Sequence, residues 1–459
     1  VPLGFDGSLG LPTAVATPVS LLVRVRDAKA ELKLSGQLGR DALRGKMAVS
    51  GDNLNNLIQR LGAGFILPPA ANAAFAFQAA VDVGSASLRF DSAEGQIGDS
   101  RATGSIVVAL DESPRGTVTL SFANLDLDQW LAGAPRPIGP DRWRRLLHDL
   151  HLTLDVTADV LSVRQSVLRQ VRLDATVDGG VVRIAQAGAQ MAGNSLLSSS
   201  GEIDLATATP RFDMRFEATS DNLRALLDWL GIAVPQVPAE RLRVLAVSCQ
   251  LAGTASDMAL SHLDMRIDTT HVSGAAALRL GDRLGIGVNL TAPTLNLDAY
   301  WRRGAEAADM AVLRAMLGVF DANVRATIGQ MTVGEMQLRE VLIDGTLING
   351  EINLRQAAVG ELAGAALRLE GRIGGLARGQ PELHGLRYDL RAAEPDKLAR
   401  LLGLTLPFPA ERLGRVTAGG VLDGDATLLS FQGQSDAAGI RLTLAGSVAD
   451  LGQTPRWDV

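Results

Sequence analysis

The chain repeats itself, and a repeat of this length restricts it to architectures that grow by adding units. DNLNNLI begins at Asp52, DNLRALL at Asp221 and DKLARLL at Asp396, at steps of 169 and 175. LDLDQW from Leu125 returns as LNLDAY from Leu295, a step of 170. Gly104 and Gly274, Gly201 and Gly371, and Asp174 and Asp344 keep the same step of 170. The boundaries implied are a partial unit over 1–51, full units over 52–220 and 221–395, and a partial unit over 396–459. No linker rich in Pro, Ser or charge separates them, so one continuous elongated sheet is expected rather than independent domains.

Each unit is punctuated by short helices. Asp52, Asp221 and Asp396 stand before apolar runs, where a carboxylate can accept the orphan N–H groups of a first turn. Leu54, Leu57, Ile58 and Leu61 form one apolar face at helical spacing, and Leu223, Leu226, Leu227 and Leu230 form another. Gly62, Gly231 and Gly403 end these helices, and Pro68, Pro235 and Pro407 follow. Helices this short are not stable alone, so their Leu faces must cover a sheet edge or the end of a core.

Everything between the helices alternates with period two. Val118, Leu120 and Phe122 alternate with Thr117, Thr119 and Ser121. Leu152, Leu154 and Val156 alternate with His151, Thr153, Asp155 and Thr157. Phe212, Met214 and Phe216 alternate with charged neighbours, and Ile440, Leu442 and Leu444 with Arg441 and Thr443. Such strands make a sheet that is apolar on one face and wet on the other. Asp178-Gly179-Gly180 and Asn349-Gly350 read as hairpin turns, and the topology as an antiparallel meander. The segment from Phe65 to Val81, Ala-rich with Pro68 and Pro69, reads as a connection or a loop over the sheet mouth. The apolar face has three possible fates: a sandwich, a packed barrel, or a groove that holds something else. Unit-by-unit growth favours the continuous sheet.

Several classes of function are excluded. A net charge of −6 with no long basic run argues against a nucleic-acid partner. Cys249 is the single cysteine, so no internal disulfide forms. The five histidines bring no metal-binding spacing with them, and His148 and His151 read as solvated or capping residues. Gly98-Asp99-Ser100 and Gly193-Asn194-Ser195 read as tight turns rather than nucleophile elbows. No catalytic constellation and no cofactor motif stands out, so an enzyme is not expected. The longest uncharged stretch, Leu61 to Val81, is interrupted by Pro68 and Pro69 and does not read as a membrane span. The chain begins at Val1 without a signal peptide, as a fragment or processed form would.

The ordered segments GDSRATGSIVVAL from Gly98, GTVTLSFANLDLDQWL from Gly116, AGNSLLSSSGEIDL from Ala192 and TAPTLNLDAY together resemble the AsmA-like periplasmic proteins of Gram-negative bacteria. These are bridge-like lipid transfer proteins of the repeating β-groove type. The resemblance runs from about Leu32 to Leu451. It implies a mainly β fold, an elongated, curled antiparallel sheet with short helices, whose apolar groove holds phospholipid or another acyl lipid. It also implies a role in lipid passage or outer-membrane homeostasis in the periplasm, close to membranes and with envelope proteins as candidate partners. The family's inner-membrane anchor would lie in a segment outside this chain. The alternative is a structural or assembly scaffold for envelope proteins with a side-chain-filled β core.

The residues expected to line a groove are Val118, Leu120, Phe122, Leu152, Leu154, Val156, Phe212, Met214, Phe216, Ile440, Leu442 and Leu444. On an open face, Asp in place of Met214 would leave the fold standing while obstructing acyl chains. Trp143, Arg144 and Arg145, beside Arg142, and Trp301, Arg302 and Arg303 combine aromatic and basic character. That combination suits lipid headgroups or a membrane interface, or else a solvated helix face with the Trp covering a sheet end.

Overall fold

The structure is a computed structural model. It describes residues 3–9, 17–60, 67–110, 115–132, 148, 150–164, 166–235, 237–300, 319–401, 414–450 and 456–458. The chain is mainly β, with 26 strands and four short α-helices among these residues. It divides into two units, Val1–Gly231 and Ile232–Val459.

The first unit runs through β1 (Leu3–Leu9), β2 (Thr17–Val25), β3 (Ala30–Leu38), β4 (Ala42–Gly51), α1 (Leu54–Arg60), β5 (Phe75–Gly84), β6 (Ser87–Ile97), β7 (Ser100–Ala109) and β8 (Arg115–Asp126). It continues through α2 (Leu127–Leu131), β9 (His151–Val163), β10 (Ser166–Asp178), β11 (Val181–Met191), β12 (Ser195–Asp204), β13 (Arg211–Ser220) and α3 (Leu223–Trp229). The second contains β14 (Leu245–Gly253), β15 (Asp257–Ile267), β16 (Thr270–Leu280), β17 (Leu284–Asn296), a 3-10 turn (Leu297–Ala299), β18 (Phe320–Val333) and β19 (Met336–Ile348). Then follow β20 (Glu351–Leu362), β21 (Ala365–Gly374), β22 (Glu382–Ala392), α4 (Pro395–Leu401), β23 (Val416–Gly424), β24 (Leu428–Ala437), β25 (Ile440–Ala449) and β26 (Arg456–Asp458). Within each unit every strand pairs with its sequence neighbours. Part of the segment read as an irregular connection is strand: Phe75 to Val81 belong to β5, a run of Phe, Ala and Val that pairs with β4 and β6 on either side.

The meander is broken twice. β8 and β9 are parallel, as are β17 and β18. A parallel pair needs a crossover long enough to carry the chain back along the strand, and 24 residues separate β8 from β9 and 23 separate β17 from β18. Here the LDLD-like motif finds its use. Asp126 caps α2, accepting from the N–H groups of Asp128 and Gln129, and Asn296 caps the 3-10 turn. The second Asp reaches across the parallel pair. Asp128 accepts the Arg164 N–H at 2.7 Å, and Asp298 accepts those of Gly334 and Glu335 at 2.7 and 2.8 Å. Each carboxylate thus fixes the next hairpin to the end of the strand before it.

Two of the three helices start one residue later than the Asp-led reading has them, and the third, α4, starts before its Asp. Asn53 accepts from the Asn56 N–H, and Asn222 from that of Ala225. Asp52 instead faces Lys29, Asp221 accepts from Asn194, and Asp396 sits inside α4, paired with Arg400. In both DNL sequences the carbonyl-bearing Asn occupies the half-in position and displaces its neighbour. Asn222→Ala should therefore cost about 1 kcal/mol in urea unfolding, and Asp221→Ala clearly less.

The repeated glycines mark bends. Gly104, Gly201, Gly274 and Gly371 each lie opposite a register shift in the preceding strand. A bulge bends and twists the strand that carries it, which is how these sheets curl. Asp174 and Asp344 sit at further shifts. At Gly201 φ is +147°, and a Cβ would collide with the Asp213 carbonyl and stand 2.9 Å from the Met214 sulfur. Gly201→Ala should destabilise by about 1–3 kcal/mol in the same assay, since strain and collision add.

Candidate functional site

Residues directly opposite in a ladder share a face, so the register alone traces the apolar surface. In the first unit one row runs Ile106, Val118, Leu154, Ala175, Ile184, Gly201, Met214. In the second, Ala276, Val288, Val324, Gly345, Leu354 and Gly371 form the equivalent row, each at the repeat step of 170 from its counterpart. Leu120, Val156 and Phe216 lie on the row to one side, and Leu152 and Phe212 on the row to the other. Phe122 follows one step further on, paired with Ala158. All nine candidates from the first unit thus come to one face. Ile440, Leu442 and Leu444 lie on the corresponding face of the second, paired with Ala437, Ser435 and Gly433. Along the three central rows of each sheet no described residue is Asp, Glu, Lys, Arg or His. The opposite face carries residues such as Thr117, Thr119 and Ser121, paired with Thr153, Asp155 and Thr157.

Among the described residues this face is shielded but carries no second layer. Val118, Leu120, Phe122, Leu152, Leu154, Val156, Phe212 and Phe216 are half-buried. Met214 differs: it lies over Gly201 and is 7% exposed, so it presents little open surface. Ile440, Leu442 and Leu444 are exposed, as are their alternating neighbours Arg441 and Thr443. β26 pairs only with the far end of β25, at Ser447 to Ala449.

The two ends of the strands are unlike. In both units the helices and the 3-10 turn at Leu297–Ala299 lie at one end, here the helix rim. There Leu57 of α1 joins Val25, Ala28, Ala30 and Phe75 in a buried cluster. Leu223 and Leu226 of α3 are also buried, beside Ser195 and Ser220, whose hydroxyls bond at 2.8 Å. Leu230, expected on that buried face, is the exposed C-cap residue of α3, one position past the last helical turn. The outer surfaces of the helices also expose Leu131 and Leu401. At the opposite end, the loop rim, ion pairs border the polar side: Arg44 with Asp82 at 3.0 Å, Arg279 with Asp257 at 2.8 Å, and Arg283 with Asp321 at 2.9 Å. The hydrogen bond from Arg283 holds the Asp321 carboxyl below the usual carboxylate range.

Trp143, Arg144, Arg145, Trp301, Arg302 and Arg303, with Arg142, lie outside the described residues. His151 pairs with Asp178 at 2.7 Å and His271 with Asp264 at 3.2 Å. Among the described residues no group of three or more His, Cys, Asp or Glu could hold a metal, and no helix is long and apolar enough to cross a membrane. Recesses also occur on the polar face, one of about 680 Å³ lined by small residues such as Ala259, Ala277 and Gly287 next to Asn323 and Thr346. Sequence reasoning missed the apolar residues of the loop rim, Leu110 and Leu280 among them, although both keep the repeat step. No family model matches the chain, and no curated protein matches it.

Proposed function

We propose that the chain carries acyl lipid, with hydrocarbon chains lying on the uncharged face of the curled sheet and headgroups outside it. The observation behind this reading is the combination of two properties: three central rows without a charge, and half-buried aliphatic side chains over which no described element is layered. Leaving such a face in water is costly at about 25 cal/mol per Å². A hydrocarbon guest removes that cost without any directional contact. Side chains of Leu, Val, Ile and Ala suit a sliding guest, since they offer no polar group to fix one position. The resemblance to AsmA-like proteins adds a setting: the periplasm of a Gram-negative bacterium, phospholipid as cargo, and transfer or outer-membrane homeostasis as the task.

Native mass spectrometry of the purified chain, released gently from detergent-free buffer, tests this. Adducts with the masses of phospholipids are expected, displaced by added lysophospholipid. A chain that flies bare and takes up no phospholipid from vesicles would favour a scaffold role instead.

A further inference from the structure

One stretch of the uncharged face carries hydroxyls. Tyr388 of β22 pairs with Gly420 of β23, which pairs with Gly433 of β24. The ring crosses this glycine pair: a Cβ built at Gly420 or at Gly433 would stand 3.0 Å from the Tyr388 hydroxyl oxygen. Ser435 is the next groove-facing residue of β24, opposite Ala418 and Leu442. It follows Gly433 by about 7 Å along the strand. Both residues are half-buried, and among the described residues neither hydroxyl has a hydrogen-bond partner. Earlier in the repeat the same places are apolar. Tyr388 comes two residues after Leu386, which lies against Gly371, as Phe216 comes two residues after Met214, which lies against Gly201. Gly433 and Ser435 stand one step of 170 after Leu263 and Met265. Ser199, opposite Phe216, has no second hydroxyl beside it on this face among the described residues. Covering glycines explains an aromatic ring at Tyr388, and Phe would cover them as well. The fold itself gives the two hydroxyls no task.

We infer that Tyr388 and Ser435 form a polar station on the groove face of the second unit, where their hydroxyls donate to the ester carbonyl oxygens of a glycerolipid. The two esters of a diacylglycerol sit on neighbouring carbons, within reach of two donors one ladder step apart. The glycines lower the floor beneath Tyr388, making room for the glycerol where Leu263 and Met265 fill the space one repeat earlier. The acceptor is committed by charge. A phosphate or a fatty-acid carboxylate calls for a cation, and the described rows through Tyr388 and Ser435 carry none between β21 and β25. A neutral carbonyl fits two neutral donors. Ser435 is two residues from the end of β24 at Ala437, so a headgroup on that glycerol reaches past the strand end while the acyl chains stay on the aliphatic rows. The cargo then has one preferred stop on a face that otherwise lets it slide. This rests on the reading of the face as an acyl-lipid carrier.

The test offers the full chain vesicles with equal amounts of a diester phosphatidylethanolamine and its diether analogue, which has the same chains and headgroup but no carbonyl. A benzophenone side chain placed at Leu444, exposed opposite Gly433, captures lipid beside the station. A second chain with benzophenone at Leu120 captures it in the first unit. Mass spectrometry of the adducts gives the ratio of the two lipids. Diester should exceed diether roughly tenfold at Leu444, through two hydrogen bonds that the diether cannot accept at a carbonyl. At Leu120 the two should be captured alike. Tyr388→Phe/Ser435→Ala keeps a ring over the glycines, so its unfolding midpoint should match the parent, and its ratio at Leu444 should fall to about one. Equal capture at Leu444 by the parent, or an excess that survives in the double variant, overturns the station and leaves the carrier reading standing. A parent that captures neither lipid at Leu444 or Leu120 overturns the carrier reading, and the station with it.

Discussion

Met214→Asp should unfold the β9–β13 part of the sheet, while Leu120→Asp should fold and lose its lipid. The two residues look alike in sequence, each an apolar position between polar neighbours. Their surroundings differ. Met214 lies over Gly201 with little exposure, so a carboxylate there is enclosed without a partner and should cost roughly 3–5 kcal/mol. Leu120 is half-buried opposite Gly104 and Val156. Water reaches an Asp at that position, and the loss of packing should be about 1 kcal/mol. Hydrogen exchange should show protection lost in β12 and β13 for the first variant and retained throughout for the second. Phospholipid adducts should disappear for Leu120→Asp. The expectation that Asp at Met214 leaves the fold standing held for an open face, and Met214 is too enclosed to meet that condition. A filled core would instead make both variants unfold.

How far such a face can be read before the structure is known depends on which property is asked for. The period-two alternation of Val118, Leu120 and Phe122 carries the face assignment by itself, because successive side chains must leave a strand on opposite sides. It carries no strand direction. The TVTLSF run pairs parallel to its successor, yet nothing in the run distinguishes that from an antiparallel partner. The crossover over 127–150 was the available sign, a gap far longer than a hairpin loop. In the two DNL sequences capping was legible to within one residue. Asp and Asn both offer an acceptor, and which of two adjacent acceptors occupies the half-in position depends on where the backbone turns helical. The repeated glycines were visible as a period but not as bends, since a bulge is a property of two strands together. Exposure was the least legible. Leu120 and Met214 are both apolar positions in alternating runs, and only their neighbours in space decide that one is half-buried and the other closed in.

Leu226→Ala should cost roughly 2–5 kcal/mol, and Leu230→Ala under about 0.5 kcal/mol. Leu226 is 7% exposed and Leu230 54%. The α3 helix is a single short stretch whose own hydrogen bonds cannot sustain it, so the loss of its buried Leu should release it from the sheet end. How far that loss spreads tests the repeat as a physical unit. Each strand in these sheets pairs only with its sequence neighbours, so the damage has no direct path to distant strands. Hydrogen exchange of Leu226→Ala should show β12, β13 and α3 opening first, with the strands from β2 to β7 keeping their protection. Urea unfolding should broaden into more than one step, because part of the chain now melts ahead of the rest. Equal loss of protection in β3 and β13 would mean that the first unit unfolds as one cooperative body. The repeat would then describe how the chain is patterned but not how it melts.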